Sequence, residues 1–483
     1  MDIVVEKFNS VNNKVHCEPA IARELYDYFT FQVPNARFDP RVKKKLWDGK
    51  LHLFHSATQL LYGGLNHYIE QFAEERNYTV EYATDFSPEE FTVDQARAFC
   101  NKLQLTLEPR DYQIDAFVHA VRNKRALLLS PTASGKSLII FLLIMYLLSK
   151  ESGRVLIVVP TTSLVHQMLS DFQSYTKMDI SGICQRIMEG YSNHVTRRIV
   201  VSTWQSIYKL PRKWFDQYNI VVGDEAHLYK AKSLTSILAK LVGCDHRYGF
   251  TGTLDGTHTH RLVLEGIFGP VHKVITTAEL IEQKHVADFL INCIVLQYSN
   301  EERELLKKAT YRDEIDWIVR HQGRNRFIKN LAMTLKGNTL ILFQFVEKHG
   351  NALYALFQDH PRVHYVHGLV DADIREEIRA IVETQEDAII IASYGTFSTG
   401  VNIKNIHNII FASPSKSRIR NLQSIGRGLR KSNTKTRAVL YDIADDLSFK
   451  SWRNYTLQHM AERVKIYGSE KFEYKIHTIP LKG

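Results

Sequence analysis

Cysteine is sparse in this chain of 483 residues, with five in all and no CxxC pair among them. Cys17, Cys100, Cys184, Cys244 and Cys293 are too scattered for a zinc ribbon or a disulfide framework. They fit small buried side chains in a reducing cytoplasm. Long hydrophobic runs are missing as well. The longest, Leu138–Leu148, falls well short of the roughly 20 residues that cross a bilayer, so no membrane role is expected. The opening Met-Asp-Ile-Val-Val-Glu-Lys lacks the apolar core of a secretory signal. No low-complexity tract or internal period occurs, which sets repeat architectures aside. One stretch also lacks acid: residues 404–437 carry nine Lys or Arg and no Asp or Glu.

What is present is a long globular chain. A hydrophobic content of 44% suits packed cores, and the length calls for three or four of them. The net charge of +10 favours a polyanionic partner. Residues 1–85 alternate short apolar runs with helical stretches and read as a small α/β domain. Asp48-Gly49 between the apolar runs at 46–47 and 51–54 predicts a β-hairpin turn. Residues 86–108 read as a helical linker. From 109 to 275, short β-branched or leucine runs (Ala126–Leu129, Val155–Val159, Ile199–Val201, Ile220–Val222) alternate with helical patterns, the mark of a parallel sheet covered on both faces. Residues 276–325 read as a connector with a charged helix. A second alternating region follows at 326–446, with runs such as Thr339–Phe343 and Ala388–Ala392, and 447–483 is a C-terminal extension. The fold class is thus α/β, with two parallel-sheet domains in tandem behind a small N-terminal α/β domain.

Two short segments carry the chemistry. Ser130-Pro131-Thr132-Ala133-Ser134-Gly135-Lys136-Ser137 fits GxxxxGK[ST], with Ser130 in place of the first Gly. A strand precedes it and a helix follows, the context a phosphate-binding loop requires. Residues 131–137 would cradle the phosphates of ATP, with backbone N–H groups and the helix N-terminus facing the anion. Lys136 would reach the β- and γ-phosphates, and the Ser137 hydroxyl would ligate Mg2+. The second segment, Asp224-Glu225-Ala226-His227, follows the hydrophobic run 220–222. It delivers two carboxylates to the end of a strand, where α/β sheets bind ligands. Asp224 would hold Mg2+ and Glu225 would polarise the attacking water.

With these residues the chain resembles the superfamily 2 DExH helicases, built from two RecA-like motor domains. Other motifs match in order. The resemblance implies that Gln113 reads adenine with Arg110 beside it. It places His227 with the catalytic group and Gly400 and Asn402 of Gly400-Val401-Asn402 at the nucleotide. It also implies nucleic-acid contacts through Thr161, Thr203, Gln205, Thr251 and Ser393. Gln423-Ser424-Ile425-Gly426-Arg427-Gly428-Leu429-Arg430 matches QxxGRxxR. In phosphoryl transfer, charge spreads over the γ-oxygens, and arginines such as Arg427 and Arg430 supplied by the second domain would stabilise it. Asn402 stands where relatives often have Asp, and Thr251-Gly252-Thr253 where many have Ser-Ala-Thr.

The acid-free stretch, with Lys416 and Arg418, suits a surface that tracks phosphates. Lys43 and Lys44 beside Trp47 offer a second nucleic-acid site, in which an aromatic ring stacks on a base. The N-terminal segments Phe38-Asp39-Pro40-Arg41 and Trp47-Asp48-Gly49-Lys50 resemble those of the recombination helicases of T-even phages. That resemblance implies a monomeric motor on branched DNA (Holliday junctions, forks, R-loops), single- or double-stranded, with RNA in RNA–DNA hybrids as a further partner. It also implies action in the cytoplasm of an infected bacterial host. Superfamily motifs contact backbone rather than base edges, so an RNA helicase or the motor of a restriction complex remains an alternative.

Overall fold

A computed structural model describes all residues except 230–231, 255, 400–402, 404, 415–425, 427–436 and 482–483. They form two compact units: Met1–Ser130 with Gly135–Val274, and Pro131–Ser134 with Ile275–Gly483.

The first unit opens with a five-stranded sheet. Its strands are β1 (Ile3–Lys7), β2 (Asn12–Cys17), β5 (Phe54–His55), β6 (Leu60–Tyr62) and β7 (Val80–Tyr82), in the order β5-β6-β2-β1-β7. Alternation drives Ile3, Val5 and Val15 inward against Leu25, Ile69 and Phe72. Strands β3 (Thr30–Gln32) and β4 (Lys50–His52) form a separate antiparallel ribbon. Asp48-Gly49 is therefore not a hairpin turn between neighbouring strands. Leu46 and Trp47 follow the short helix Pro40–Lys43 and belong to no strand, while β4 pairs upstream with β3, from Gln32↔Lys50 to Thr30↔His52, a separation that local turn chemistry cannot reveal. The Asp48 carboxylate instead accepts from the Lys50 N–H at 3.0 Å and contacts His52 at 2.8 Å.

A parallel seven-stranded sheet follows, made of β8 (Arg125–Leu129), β9 (Val155–Val159), β10 (Cys184–Ile187), β11 (Ile199–Thr203), β12 (Ile220–Asp224), β13 (His246–Thr251) and β14 (Val271–Lys273). The order is β10-β11-β9-β12-β13-β8-β14. Strands β9, β11 and β12 are buried at every position, as Val/Ile/Leu runs covered on both faces should be. The helix Lys136–Lys150 is apolar nearly all round and lies buried from Leu138 to Ile144. Strand β13 looks too polar for an interior position. Its Arg247 is wholly buried, yet its guanidinium donates to the carbonyls of Ile267, Leu241 and Leu238, so no donor is stranded there without compensation.

The second unit holds another parallel seven-stranded sheet: β15 (Asp288–Gln297), β16 (Thr339–Phe343), β17 (Val363–Val366), β18 (Ile389–Ser393), β19 (Asn408–Phe411), β20 (Arg437–Asp446) and β21 (Glu473–Pro480). Its order is β17-β18-β16-β19-β20-β15-β21. The stretch read as a connector thus supplies β15, an inner strand, and the C-terminal extension supplies β21 at the edge. The helix Tyr455–Ser469 of that extension is tied to the sheet. Its buried Arg463 bridges both oxygens of buried Asp442 at 2.8 Å, and Tyr467 donates to the same carboxylate at 2.9 Å. Buried Glu314 caps the helix start, accepting from Thr456 N at 2.7 Å and Thr456 Oγ1 at 2.6 Å.

All five cysteines are free. Among the described residues, no helix is long and apolar enough to cross a membrane.

Candidate active site

Three neighbouring parallel strands, β12, β13 and β8, end at the same edge of the first seven-stranded sheet. Strand β8 runs into the phosphate-loop sequence. Ser130 donates its N–H to the Thr251 carbonyl at 2.9 Å, which fastens the loop to the end of β13. The chain then turns through Ala133 at φ 71° and Gly135 at φ 79° before the Lys136–Lys150 helix begins. The positive φ of Gly135 favours glycine, and a Cβ there would stand 2.4 Å from Gln113 Nε2 and push that side chain aside. Ser134 is buried and donates its hydroxyl to the Pro131 carbonyl at 2.6 Å. Gln113 is also buried, and its Oε1 accepts from the Arg110 N–H at 2.9 Å. The guanidinium of Arg110 donates to the Tyr112 hydroxyl.

Lys136, at the first turn of its helix, reaches the acids at the end of β12. Its Nζ lies 3.2 Å from Glu225 Oε1 and 3.6 Å from Asp224 Oδ1. Burial opposes charge on the ammonium, but the Glu225 and Asp224 carboxylates outweigh it and hold the pKa above the ordinary lysine value. Asp224 is shifted upward as well. Burial, with the Glu225 charge beside it, lifts its carboxyl above the usual range despite Lys136. The two shifts describe one imbalance, since a single ammonium faces two carboxylates and a negative charge is left over in a poorly solvated place. Glu225 sits at φ 48°, unusual for a residue other than glycine, and donates its N–H to Asp224 Oδ1 at 2.9 Å.

His227 is buried beside these acids. Its Nδ1 lies 3.0 Å from Thr251 Oγ1 and 3.4 Å from Glu225 Oε2. The Thr251 hydroxyl already donates to the Thr253 carbonyl at 3.0 Å, so it accepts from histidine, which puts the imidazole proton on Nδ1.

The structure brings together Lys136, Asp224, Glu225, His227 and the loop around Gly135. It places other sequence candidates differently. Ser137 Oγ lies 2.6 Å from the Tyr175 hydroxyl. Thr251, grouped by sequence with the nucleic-acid contacts, has no exposed surface and serves His227. Thr203 is buried against the Ser206 hydroxyl at 2.9 Å, and Ser393, in the second unit, against Thr396 at 2.8 Å. Thr161 caps the helix Thr162–Tyr175, and exposed Gln205 reaches the Pro160 carbonyl at 3.4 Å. Lys43 and Lys44 are exposed. The half-buried Trp47 ring lies 4.9 Å beneath the Arg41 guanidinium and donates its Nε1–H to the Lys50 carbonyl. Gly400, Asn402, Lys416, Arg418, Gln423, Arg427 and Arg430 lie outside the described residues. The Thr251–His227 and Tyr175–Ser137 pairings escaped sequence reasoning. The Thr-Gly-Thr motif marks the first, whereas nothing near Tyr175 marks the second.

The donor set suits magnesium, since Asp224 and Ser137 offer hard oxygens and the acid pair carries the uncompensated negative charge. Among the described residues no cluster of three or more His, Cys, Asp or Glu could hold a metal by itself. A cation here would take the rest of its shell from water and phosphate oxygens.

Known proteins match along the chain. Residues 2–83 match the model of the DNA helicase UvsW N-terminal domain, 106–256 that of the type III restriction enzyme res subunit, and 323–432 that of the helicase conserved C-terminal domain. The ATP-dependent DNA helicase uvsW of Enterobacteria phage T4 is 35% identical over 505 residues, covering 100% of both chains. The crystal structure of T4 UvsW superposes with a TM-score of 0.53 at 34% identity, again over 100% of both chains. A DNA 3'-5' translocase, XPB2 of Sulfurisphaera tokodaii, is 25% identical over 70% of this chain and 81% of its own. A loop and an acid pair converging on one sheet edge, a second parallel sheet and full-length identity to a phage enzyme together mean that this chain belongs to the UvsW family of superfamily 2 helicases.

Proposed function

We propose that the protein is an ATP-dependent DNA helicase that unwinds or branch-migrates Holliday junctions, forks and R-loops in phage recombination, repair and replication restart. The observation that carries this reading is the convergence of Lys136, Asp224, Glu225 and His227 at the end of β12, within 3.6 Å of one another along the chain of contacts. The name of the full-length phage relative supports DNA as the nucleic acid.

In this mechanism the loop 131–137 binds the triphosphate through its N–H groups, and Lys136 leaves the carboxylates for the β- and γ-phosphates. Asp224 and Ser137 would hold Mg2+, which when bound would supply positive charge against the phosphates. Glu225, freed from Lys136, accepts a hydrogen bond from the water that attacks the γ-phosphorus and draws off its proton. His227, its Nδ1–H given to Thr251, packs its ring edge 3.4 Å from Glu225 Oε2 and so limits where that carboxylate points. Arg427 and Arg430, with Gln423, meet the γ-oxygens from the second motor domain, and Arg110, Gln113, Gly400 and Asn402 border the nucleoside. Thr161 and Gln205 border the tracked strand, with Lys416 and Arg418 adding cations. Lys43, Lys44 and Trp47 engage the branch, and the protein works as a monomer in the host cytoplasm.

The test is phosphate release and strand separation on linear duplex, fork, four-way junction, R-loop and a matched RNA fork. DNA-stimulated hydrolysis abolished by Lys136→Ala, with unwinding strongest on branched DNA, is expected. Stimulation by RNA alone would overturn the DNA assignment.

A further inference from the structure

The helix His258–Phe268 touches both the acid loop and the N-terminal domain. On one side, buried His260 donates Nε2–H to the His227 carbonyl at 2.9 Å, and Leu264, Ile267 and Phe268 pack into the core beneath β12 and β13. On the other side, Leu262 is part of the N-terminal domain's own core, beside Ile69 and Phe72. Glu265 has no exposed surface, and its carboxylate accepts from the Tyr68 hydroxyl at 2.7 Å, from Arg261 Nε at 3.0 Å and from the Val271 N–H at 3.3 Å. Tyr68 belongs to the N-terminal helix Asn66–Arg76. The approach is as close as backbones allow, since a Cβ on Gly64 would come within 1.9 Å of the Glu265 carbonyl. A second clamp lies nearby, where Lys7 and Ser10 bind Asp245 and Arg125 donates to the Ser10 carbonyl.

We propose that Tyr68, Glu265 and His260 are positioning residues of the ATPase, which fix the His227 segment through this helix and so make the N-terminal domain part of the hydrolytic machinery. A part-buried hydroxyl–carboxylate bond anchors one face of a rigid rod. A buried imidazole on the opposite face holds the main chain from which His227, and through it Glu225, is aimed. Motion of the N-terminal domain is then delivered to the water-orienting acid with no hinge between them. The proposal rests on the ATPase reading above.

The experiment uses the full-length chain with saturating fork DNA and measures kcat and KM for ATP. The variants are Tyr68→Phe, His260→Leu, His260→Gln and the double variant Tyr68→Phe/His260→Leu. Loss of one buried hydrogen bond of about 1 kcal/mol corresponds to about a five-fold fall in kcat, expected in each single loss variant with KM for ATP unchanged. Gln restores a donor, so His260→Gln should recover most of the rate. Because both residues act through one rod, the double variant should be no slower than the slower single, whereas independent structural damage would multiply. Unchanged kcat in both singles despite lowered melting temperatures overturns the proposal, as do multiplicative effects in the double. If the wild type itself hydrolyses no ATP, or Lys136→Ala is fully active, the ATPase reading fails instead.

Discussion

Replacing Glu225 by Gln keeps the shape of the acid loop and removes one charge, which separates chemistry from binding. In the structure Glu225 attracts Lys136 across 3.2 Å and repels Asp224, its sequence neighbour. At an effective dielectric near 20, a pair at such a distance is worth up to about 5 kcal/mol, and relief of the Asp224–Glu225 repulsion offsets part of that lost attraction. Ground-state effects therefore partly cancel. Lys136 is released to the phosphates, keeping Asp224 as a partner at 3.6 Å, and Asp224 ionises more readily once the neighbouring charge is gone. What does not cancel is proton transfer from water, which such a base accelerates by about 10²–10⁴-fold, or about 3–5 kcal/mol of barrier. Steady-state phosphate release with DNA at saturation should show kcat reduced by that factor and KM for ATP unchanged or lower. A kcat within ten-fold of wild type would refute Glu225 as the base, and a large rise in KM would refute the cancellation.

Three further outcomes follow from the same contacts. Asp442→Asn leaves the buried Arg463 guanidinium without its counter-charge and should cost about 3–5 kcal/mol, read as a loss of denaturant midpoint with the Tyr455–Ser469 helix exchanging amide protons early. Lys43→Gln with Lys44→Gln should flatten the slope of log affinity against log salt for fork DNA by about 1.4–1.8, while DNA-free ATPase stays the same; an unaltered slope removes these lysines from the interface. Lys136 has a folded pKa above its ordinary value of 10.5, so its stabilising contribution is complete below that value and disappears as pH rises through the higher folded one. The melting-temperature gap between wild type and Lys136→Ala should accordingly stay constant from pH 7 to 10 and close above it, and a gap that closes below pH 9 would contradict the shift.

Sequence reading and structure agree where hydropathy alone decides. Strands β9 and β12 are short runs rich in Val and Ile, buried at every position, the composition of a central parallel strand. Strand β13 was hidden because His246 and Arg247 look like surface residues, and only tertiary carbonyls make their burial tolerable. Strand β15 was passed over because its run carried no motif, although its ten residues pair with β20 along their whole length. At the site, Lys136, Asp224 and Glu225, the residues that the phosphate-loop and acid-pair motifs single out, lie in contact at 3.6 Å or less. The function of Thr251 as a partner of His227 was invisible, since it depends on which strand ends lie side by side. Gln113 was read as a nucleotide contact, and its role as a helix cap packed on Gly135 likewise depends on folding.

The missing clearance above Gly64 bears on how such enzymes can be recombined in the laboratory or by evolution. The N-terminal family match stops at residue 83, yet the domain's hydrophobic interior borrows Leu262 from far downstream. Cutting at the match boundary would therefore leave a hole in the excised piece and a greasy scar on the donor. A chimera that carries residues 1–85 to a foreign motor should fold only if the recipient's equivalent of His258–Phe268 is transplanted with it, so the unit of inheritance is discontinuous along the gene.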